Sequence, residues 1–341
     1  MRVCVFGAGA IGGLVAARLA QVPEISVSVV ARGEQLQAIR DRGIRVISPK
    51  GNIQVSVNAT DDARTLGPQD VVFIALKQHQ VTAALQSIES LLGPKTMVVP
   101  PTTGIPYWYF HGLQGPWCNR QIEKVDPGGL QWSTLGPQRA IGCVYWAAAE
   151  VIEPGVVHHD GRLLRFPIGE PDGSRSERIV RLAQAMNDAG LNAAISEDVR
   201  ADIWAKIISS LCWNPLAVLT GATLDAMCHD AGVLQLVRRL MREAEEIAEA
   251  LGVKKWPLSL EQRIEAAQNS GAHRTSMLQD WEKGRPLEID VLTDSIGATR
   301  ELANVRTPTI DEVYALLRLK VLSASTSTGL ATMAKSAMPK G

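Results

Sequence analysis

The feature that most constrains the fold is a glycine-rich turn between a predicted strand and a predicted helix at the start of the chain. Residues 1–6 (MRVCVF) have the pattern of a buried strand, residues 14–20 (LVAARLA) are typical of a helix, and between them lies Gly7-Ala8-Gly9-Ala10-Ile11-Gly12. In this context G-x-G-x-x-G is the fingerprint of dinucleotide binding. The first glycine permits a tight turn, the second lets a pyrophosphate approach the backbone, and the third lets the helix pack closely on the strand.

The second half of this signal lies at the end of the next predicted strand, residues 25–30. A site for NAD has Asp or Glu there, about 20 residues after the glycines, which accepts a hydrogen bond from the ribose 2′-hydroxyl. This chain has Ala31-Arg32-Gly33 instead. An arginine at that place suits a 2′-phosphate, so the sequence predicts NADP(H) as the cofactor. The alternative is that the glycine turn binds another nucleotide or none, and that Arg32 is a solvated surface charge.

Composition narrows the classes of protein. The 35 Lys and Arg residues balance the 35 Asp and Glu residues, so no long-range field attracts nucleic acid or an anionic membrane. No apolar run reaches the ~20 residues that cross a bilayer, and no cleavable signal pattern precedes the first strand. The five cysteines include no C-x-x-C pair, which favours reduced thiols over a disulfide framework or a zinc site. These features predict a cytoplasmic protein without a metal, whose partner is a small molecule.

The hydrophobic period divides the chain into an α/β part and a helical part. Strands and helices alternate as far as residue 196, with a hairpin at 46–57, and this alternation predicts a parallel sheet covered by helices. The fold class is therefore α/β, with an N-terminal Rossmann-type dinucleotide-binding domain at 1–196 and an all-α domain at 197–322, and with the site in the cleft between them. Residues 323–341 are rich in Ser, Thr, Ala and Gly and predict a disordered tail. Helices are predicted at 199–219, 231–251, within 260–280, at 287–304 and at 310–322.

One segment of the first part, residues 100–139, has no regular period. It is rich in glycine, proline and aromatic residues, and includes the run Tyr107-Trp108-Tyr109-Phe110. An irregular segment of this length in a compact domain is usually functional or partly structured. The aromatic run is predicted either to shape a pocket or act as a lid, or simply to pack against the second domain or a subunit interface.

The helix predicted at 199–219 carries a polar stripe. Lys206 lies in the apolar sequence IWAKIISSLCWNPLAVL, with Ser210 at i+4 and Asn214 at i+8 on roughly the same face. Burial disfavours the charged form of a lysine, and a pKa lowered toward neutrality makes the group a usable general acid. The alternative is a lysine whose stem lies on apolar surface while its ammonium reaches water.

A second polar cluster follows in the helical part. The sequence Ser276-Met277-Leu278-Gln279-Asp280 precedes Glu288-Ile289-Asp290, which begins the helix predicted at 287–304. A carboxylate and a lysine in one helical domain can hold a polar substrate from two sides. The alternative is that Glu288 and Asp290 are ordinary acidic residues at a helix start, where the helix dipole favours them.

Taken together, these patterns resemble the ketopantoate reductase (2-dehydropantoate 2-reductase) family, from residue 1 to about residue 322. The glycine turn resembles the family's cofactor loop, and Arg32 stands where the family binds the 2′-phosphate. The other matching patterns, in chain order, are Leu76-Lys77, Trp204-x-Lys206 with Asn214-Pro215, and Ser276 to Asp280 with Glu288 to Asp290.

The resemblance implies an NADP-dependent oxidoreductase of pantothenate biosynthesis that acts on CH–OH, with a C-terminal domain like that of 6-phosphogluconate dehydrogenase. NADPH would reduce the carbonyl of a 2-oxo acid, and Lys206 would protonate the alkoxide and stabilise its charge. Glu288 would hold a substrate hydroxyl and help orient Lys206. Ser276 would help bind the substrate carboxylate, Asn214 would line the pocket, and Lys77 would line the cofactor. A homodimer is also expected, through an apolar helix such as 231–251.

Three positions depart from the family pattern. Thr102-Thr103-Gly104 stands where the family has Gln-Asn-Gly, so Thr103 replaces an amide that contacts nicotinamide and substrate. Ser210 and Leu224 also replace pocket asparagines. A hydroxyl reaches less far than an amide, leucine offers no polar atom, and each lost polar contact costs ~1–3 kcal/mol. These departures predict a different 2-oxo or 2-hydroxy acid as substrate, for which a larger acid is one option.

Two other functions remain open on the sequence. One is a dehydrogenase of the same fold that acts on a different hydroxy acid or makes an opine-type product. The other is a catalytically silent NADPH-binding sensor, for which the three departures speak. Lys206, Ser276 and Glu288 are all present, and they favour an enzyme.

Overall fold

The computed structural model of the chain describes residues 1–336, and for Arg162 and residues 325–336 it describes the backbone only. The chain divides into two compact units, Met1–Ile203 and Trp204–Gly341, whereas the sequence predicted a division after residue 196. The difference arises because the helix that begins at Val199 packs its first turn on the first unit. A Cβ added to Gly142 or Gly169 would lie 2.6 or 2.7 Å from the Val199 side chain.

The strands all belong to the first unit. In chain order they are β1 (Arg2–Phe6), β2 (Ser26–Val30), β3 (Ile44–Ile47), β4 (Ile53–Val55), β5 (Asn58–Thr60), β6 (Val71–Ile74), β7 (Met97–Val99), β8 (Gly142–Cys143), β9 (Trp146–Glu153), β10 (Val156–Arg165) and β11 (Ile168–Gly169).

A five-stranded parallel sheet in the order β5-β2-β1-β6-β7 forms the centre of this unit. Its inner strands β2, β1 and β6 are rich in Val, and β6 is buried at every position, as expected of a parallel sheet covered on both faces. The order of the strands reverses at β1, and ligands of such sheets bind outside the carboxyl ends of the strands at that point. The structure therefore confirms the predicted α/β fold with an N-terminal parallel sheet.

The helices follow in both units. In chain order they are α1 (Ala10–Leu19), α2 (Gly33–Arg42), α3 (Gln78–Glu89), α4 (Leu130–Leu135), α5 (Glu177–Asp188), α6 (Val199–Thr220), α7 (Leu224–His229), α8 (Ala231–Ala250), α9 (Leu260–Gln268), α10 (Ser276–Glu282), α11 (Ile289–Ala303) and α12 (Pro308–Ser336).

A second sheet, in the order β4-β3-β10-β9, contains the hairpin predicted at 46–57 as the antiparallel pair β3–β4. Helix α1 packs against β1 and β2 of the parallel sheet and against β3, β9 and β10 of this one. Its approach to β10 is close, because a Cβ on Gly13 would lie 2.8 Å from Val157 Cγ2. One helix thus joins the two sheets.

The aromatic run belongs to the core of the first unit. Tyr107, Trp108, Tyr109 and Phe110 are each at most 4% exposed. The buried guanidinium of Arg200 lies against the rings of Trp108 and Tyr109 and donates hydrogen bonds to the carbonyls of Tyr109, Pro171 and His111. These contacts favour the packing alternative over a lid, and the packing is within the first unit.

The second unit is helical, as predicted, with α8 packed against α7, α11 and α12. The sequence missed α7, which is only six residues long. The segment predicted within 260–280 forms two helices, because Gly271 has φ +61° and Thr275 caps a new helix at the Leu278 amide. Sequence reasoning missed α7 and the division between α9 and α10 because the turns there are too short to interrupt the helical spacing of apolar residues.

The residues predicted to form a disordered tail, 323–341, begin inside helix α12 (Pro308–Ser336). Helix α12 continues to Ser336, since residues 323–336 contain no proline and helix propagation adds one hydrogen bond per residue to a formed nucleus. The rest of the predicted tail, 337–341, lies outside the described residues.

Helix α6 is the one helix within residues 1–336 that is long and apolar enough to cross a bilayer. Most of it is buried inside the protein, which is the pattern of a core helix of a globular protein.

We expect Arg200→Met to lower the free energy of unfolding by about 2–4 kcal/mol, because three buried carbonyls lose a charged donor. Urea denaturation followed by circular dichroism measures the change. The matched control is Arg120→Met, since Arg120 is exposed and contacts only the ring of Trp117 among the interactions described. Equal stability of the two variants would contradict a structural role for Arg200.

Candidate active site

The predicted cofactor loop has the geometry that its glycines require. Gly7 has φ +105°, and its amide donates to the Val30 carbonyl at the end of β2. A Cβ on Gly12 would lie 1.9 Å from the Gly7 carbonyl oxygen, so no side chain fits there. A Cβ on Gly9 would meet nothing within 4 Å. The first and third glycines are therefore required by the protein itself, and the second faces open space.

That open space lies at the N-terminus of α1. No side chain caps this helix at Gly9, and its first turn, which contains Ala10, Ile11 and Gly12, has no acidic residue. The first amides of a helix have no partner within the helix, and the helix dipole makes this end positive. Backbone amides without a side-chain cap, next to a glycine with space in front of it, fit a pyrophosphate.

Arg32, which was predicted to bind the 2′-phosphate of NADP(H), lies at the carboxyl end of β2. It follows β2, is exposed, and is the residue immediately before α2. Because β2 pairs with β1, the carboxyl ends of the two strands are neighbours. Arg32 and the glycine loop therefore lie at the same edge of the sheet.

Lys77 and Thr103 lie at this edge as well. Lys77 is exposed and precedes α3, shortly after β6, and Thr103 is half-buried in the turn after β7. The loop after β6 approaches the glycine turn, since a Cβ on Gly7 would lie 2.8 Å from the Ala75 carbonyl oxygen. The turn after β7 is fixed by Thr102, whose buried hydroxyl donates to the Cys143 carbonyl at 2.5 Å. The neighbouring Thr103 is half-buried in the same turn.

Lys206 is half-buried on α6 between the buried residues Ala205 and Ile207. Burial lowers the pKa of its ammonium to about 8. Ser210 and Asn214, one and two turns further along α6, are also half-buried. The predicted polar stripe is therefore present, and its lysine has the lowered pKa that suits a general acid.

Helix α12 supports α6 at two points. Pro215 has no amide to donate to the Leu211 carbonyl, and the buried hydroxyl of Tyr314 donates to that oxygen instead, at 3.4 Å. At the C-terminal end of α6, Lys320 Nζ donates to the carbonyls of Val218 and Leu219 at 2.6 and 3.0 Å. Sequence patterns gave no sign of either contact.

Ser276 and Glu288 are each at the beginning of a helix. Ser276 is the exposed first residue of α10, and Glu288 precedes α11, with its Oε1 atom shielded from solvent. Leu224, which replaces a family asparagine, is buried at the start of α7, and its amide donates to the His273 carbonyl at 3.0 Å. The Leu224 backbone thus helps to fix the segment that leads to Ser276.

One polar residue near the cofactor loop was missed by sequence reasoning. Gln35, on α2, donates from Nε2 to the Ala8 carbonyl at 2.6 Å. Nothing in the sequence signals this contact, because its partner is 27 residues away and polar residues are common in the first turn of a helix.

The fold and these residues define a class: an oxidoreductase with a Rossmann-like domain for the cofactor and a helical domain that carries the candidate proton donor. The family model described as "Ketopantoate reductase PanE/ApbA" matches residues 3–105, and its "C terminal" counterpart matches residues 198–321. The chain belongs to the ketopantoate reductase family.

Relatives and solved structures agree with this assignment. The chain is 46% identical over 319 residues to a 2-dehydropantoate 2-reductase of Mesorhizobium japonicum, covering 93% of this chain and 97% of the relative. It resembles the crystal structure of 2-dehydropantoate 2-reductase from Geobacter metallireducens GS-15 with a TM-score of 0.81 and 25% identity, over 94% and 100% of the two chains. D-mandelate dehydrogenase with NADH and anilino(oxo)acetate shares the fold, with a TM-score of 0.77 and 19% identity over 95% and 99%.

We expect the second and third glycines to respond differently to alanine. Gly12→Ala should lower the melting temperature, because its methyl group collides with the Gly7 carbonyl. Gly9→Ala should leave the melting temperature unchanged, because φ of Gly9 is −71° and no atom is close, but should weaken NADPH binding by filling the space before the helix amides. Thermal melting and equilibrium cofactor fluorescence measure the two effects, and unaltered NADPH binding by Gly9→Ala would contradict this location for the pyrophosphate.

Proposed function

We propose that this protein catalyses the NADPH-dependent reduction of a 2-oxo acid to a 2-hydroxy acid, with ketopantoate or a related 2-oxo acid as substrate. The observation that supports this most strongly is Lys206, half-buried on α6 with its pKa lowered to about 8, in a member of the ketopantoate reductase family. A proton donor with a pKa near the working pH is what reduction of a carbonyl requires.

In the proposed reaction the residues of the helical unit handle the substrate. Lys206 donates a proton from Nζ to the carbonyl oxygen as negative charge develops on it, and stabilises that charge. Glu288 accepts from a substrate hydroxyl and helps to orient Lys206. Ser276 donates to the substrate carboxylate, and Asn214 and Ser210 line the pocket.

The residues of the first unit hold the cofactor, which supplies the hydride when bound. The amides from Ala10 to Gly12 bind the pyrophosphate, and Arg32 binds the 2′-phosphate as a charge-assisted contact. Lys77 and Thr103 line the nicotinamide side. The choice of NADPH over NADH rests on Arg32, because no acidic residue follows β2 to accept from a 2′-hydroxyl.

A second candidate function comes from the altered pocket residues. Thr103, Ser210 and Leu224 replace three amides, so a hydroxy acid other than pantoate, or an opine-type product, would suit a less polar pocket. The likeness to D-mandelate dehydrogenase extends to the fold only. We further propose that the protein is a cytoplasmic enzyme of pantothenate biosynthesis and a homodimer. Light scattering of the purified protein tests the homodimer, whose mass is twice the 36.8 kDa of one chain.

The first experiment is NADPH oxidation with ketopantoate beside a panel of other 2-oxo acids, with NADH as the control cofactor. We expect turnover of a 2-oxo acid with NADPH, and at least tenfold lower kcat/KM with NADH, since about 1.4 kcal/mol corresponds to a factor of ten. Efficient reduction of ketopantoate would show that Thr103, Ser210 and Leu224 are tolerated substitutions. Turnover of another acid in its place would support the second candidate, and equal use of NADH would contradict the role of Arg32.

We expect the kcat/KM for reduction to fall above pH about 8, because the proton donor must be charged and the pKa of free Lys206 is about 8. The reverse oxidation needs neutral Lys206, so its rate should rise through the same pH.

Lys206→Ala should abolish turnover, while its NADPH affinity stays within about threefold of the wild type. The control Lys255→Ala changes an exposed lysine and should alter neither value. Persistent turnover in Lys206→Ala would contradict this mechanism, and a silent sensor would show no turnover in any variant.

A further inference from the structure

One side-chain amide connects three parts of the candidate cofactor site. The Nε2 atom of Gln35 donates to the Ala8 carbonyl inside the glycine loop at 2.6 Å, and its Oε1 atom accepts from the Gly155 amide at 3.0 Å. Because one end of the amide must donate and the other accept, the two bonds fix its orientation. Both partners are far along the chain, and the Ala8 residue is 5% exposed.

The turn that holds the other end of Gln35 is itself fixed. Gly155 has φ +80°, and its carbonyl accepts from the Arg45 amide at the start of the second sheet at 2.9 Å. The preceding Pro154 carbonyl accepts from Arg42 Nη2 at 3.2 Å. A Cβ on Gly155 would also lie 3.3 Å from Ala38 on α2. Gln35 therefore connects the glycine loop to a turn that is bound to α2 and β3.

Gln35 also lies in the first turn of α2, three residues after Arg32. Its hydrogen bond to Ala8 therefore sets the position of Arg32 relative to the loop whose amides face the open space at Gly9. NADPH must place its pyrophosphate at the glycine loop and its 2′-phosphate at Arg32 at the same time. NADH has no 2′-phosphate and makes only the contact with the loop. The distance between the loop and Arg32 therefore matters more for NADPH binding than for NADH binding.

We propose that Gln35 is a positioning residue that sets the spacing between the pyrophosphate loop and Arg32, and so contributes to the preference for NADPH over NADH. This inference rests on the proposed function, because it takes the cofactor from there. Gln35 acts through Ala8 and Arg32 without touching the reacting atoms.

The test compares Gln35→Met, which keeps the length of the side chain and loses both hydrogen bonds, with Gln35→Glu, which keeps the acceptor for Gly155 and places a carboxylate against the Ala8 carbonyl. The matched control is Gln37→Met on the same helix, where an exposed Gln37 donates to Asp41 at 2.8 Å. For each protein, Kd values for NADPH and for NADH are measured by equilibrium fluorescence, together with the melting temperature and steady-state KM and kcat.

We expect Gln35→Met to raise the Kd for NADPH about tenfold, or about 1.4 kcal/mol, and to raise the Kd for NADH clearly less. Gln35→Glu should weaken NADPH binding at least as much, because its carboxylate repels the Ala8 oxygen. KM for NADPH should rise in parallel, with kcat within about twofold, since no group that touches the substrate has changed. Gln37→Met should match the wild type.

A purely structural role for Gln35 would lower the melting temperature of both Gln35 variants and leave the ratio of the two Kd values unchanged, and this result would overturn the inference. Equal effects of Gln35→Met and Gln37→Met would overturn it as well. If the wild type bound neither dinucleotide, the cofactor part of the proposed function would fail first, so the two failures are distinguishable.

Discussion

The close approach of α1 to the end of β1 is the constraint on which the first unit depends. The Gly7 carbonyl oxygen occupies the place where a Cβ of Gly12 would be, so the helix can begin this near the strand only with glycine there. The position of α1 in turn sets its contacts with both sheets, and at Gly13 it brings β10 within van der Waals distance. The same approach leaves the first amides of α1 pointing past Gly9, toward the carboxyl ends of the parallel strands. The packing of α1 and the direction of its first amides thus both depend on the missing side chain at Gly12.

Much of this architecture could be predicted from the sequence because its signals are local. The strands β1, β2 and β6 are rich in valine, and glycines mark the turn after β1 and the hairpin turn at Gly51. The aromatic segment could not be predicted in the same way. Trp108 and Tyr109 are buried by Arg200, about 90 residues further along the chain, and no local pattern identifies such a partner. The length of α12 and the existence of α7 were also beyond a periodicity argument, since composition alone does not say where a helix stops.

For the candidate site, too, the sequence could predict the residue types but not the contacts that surround them. The sequence places a lysine, a serine and an asparagine on one helix, and the structure shows all three half-buried. The sequence could not show that Tyr314 replaces the hydrogen bond that Pro215 removes. It also could not show that Lys320 binds the last carbonyls of α6. Proline inside a helix normally costs ~3 kcal/mol and bends it. Here a donor from α12 meets the carbonyl that lost its partner, and α6 remains one helix from Val199 to Thr220 with Pro215 inside it.

This support bears on how Lys206 works in the proposed reaction. Burial, which takes water away from its ammonium, lowers its pKa to about 8. A bound 2-oxo acid brings a carboxylate, and an opposite charge within ~4–6 Å raises the pKa of a lysine. Substrate binding therefore favours the protonated form at the moment when a proton is needed. Release of the hydroxy acid, which still carries its carboxylate, returns the lysine to its lower pKa of about 8, at which it takes up a proton from solvent near neutral pH. Burial disfavours the charge on Lys206 and the bound carboxylate favours it, so the substrate itself shifts the protonation state of its proton donor.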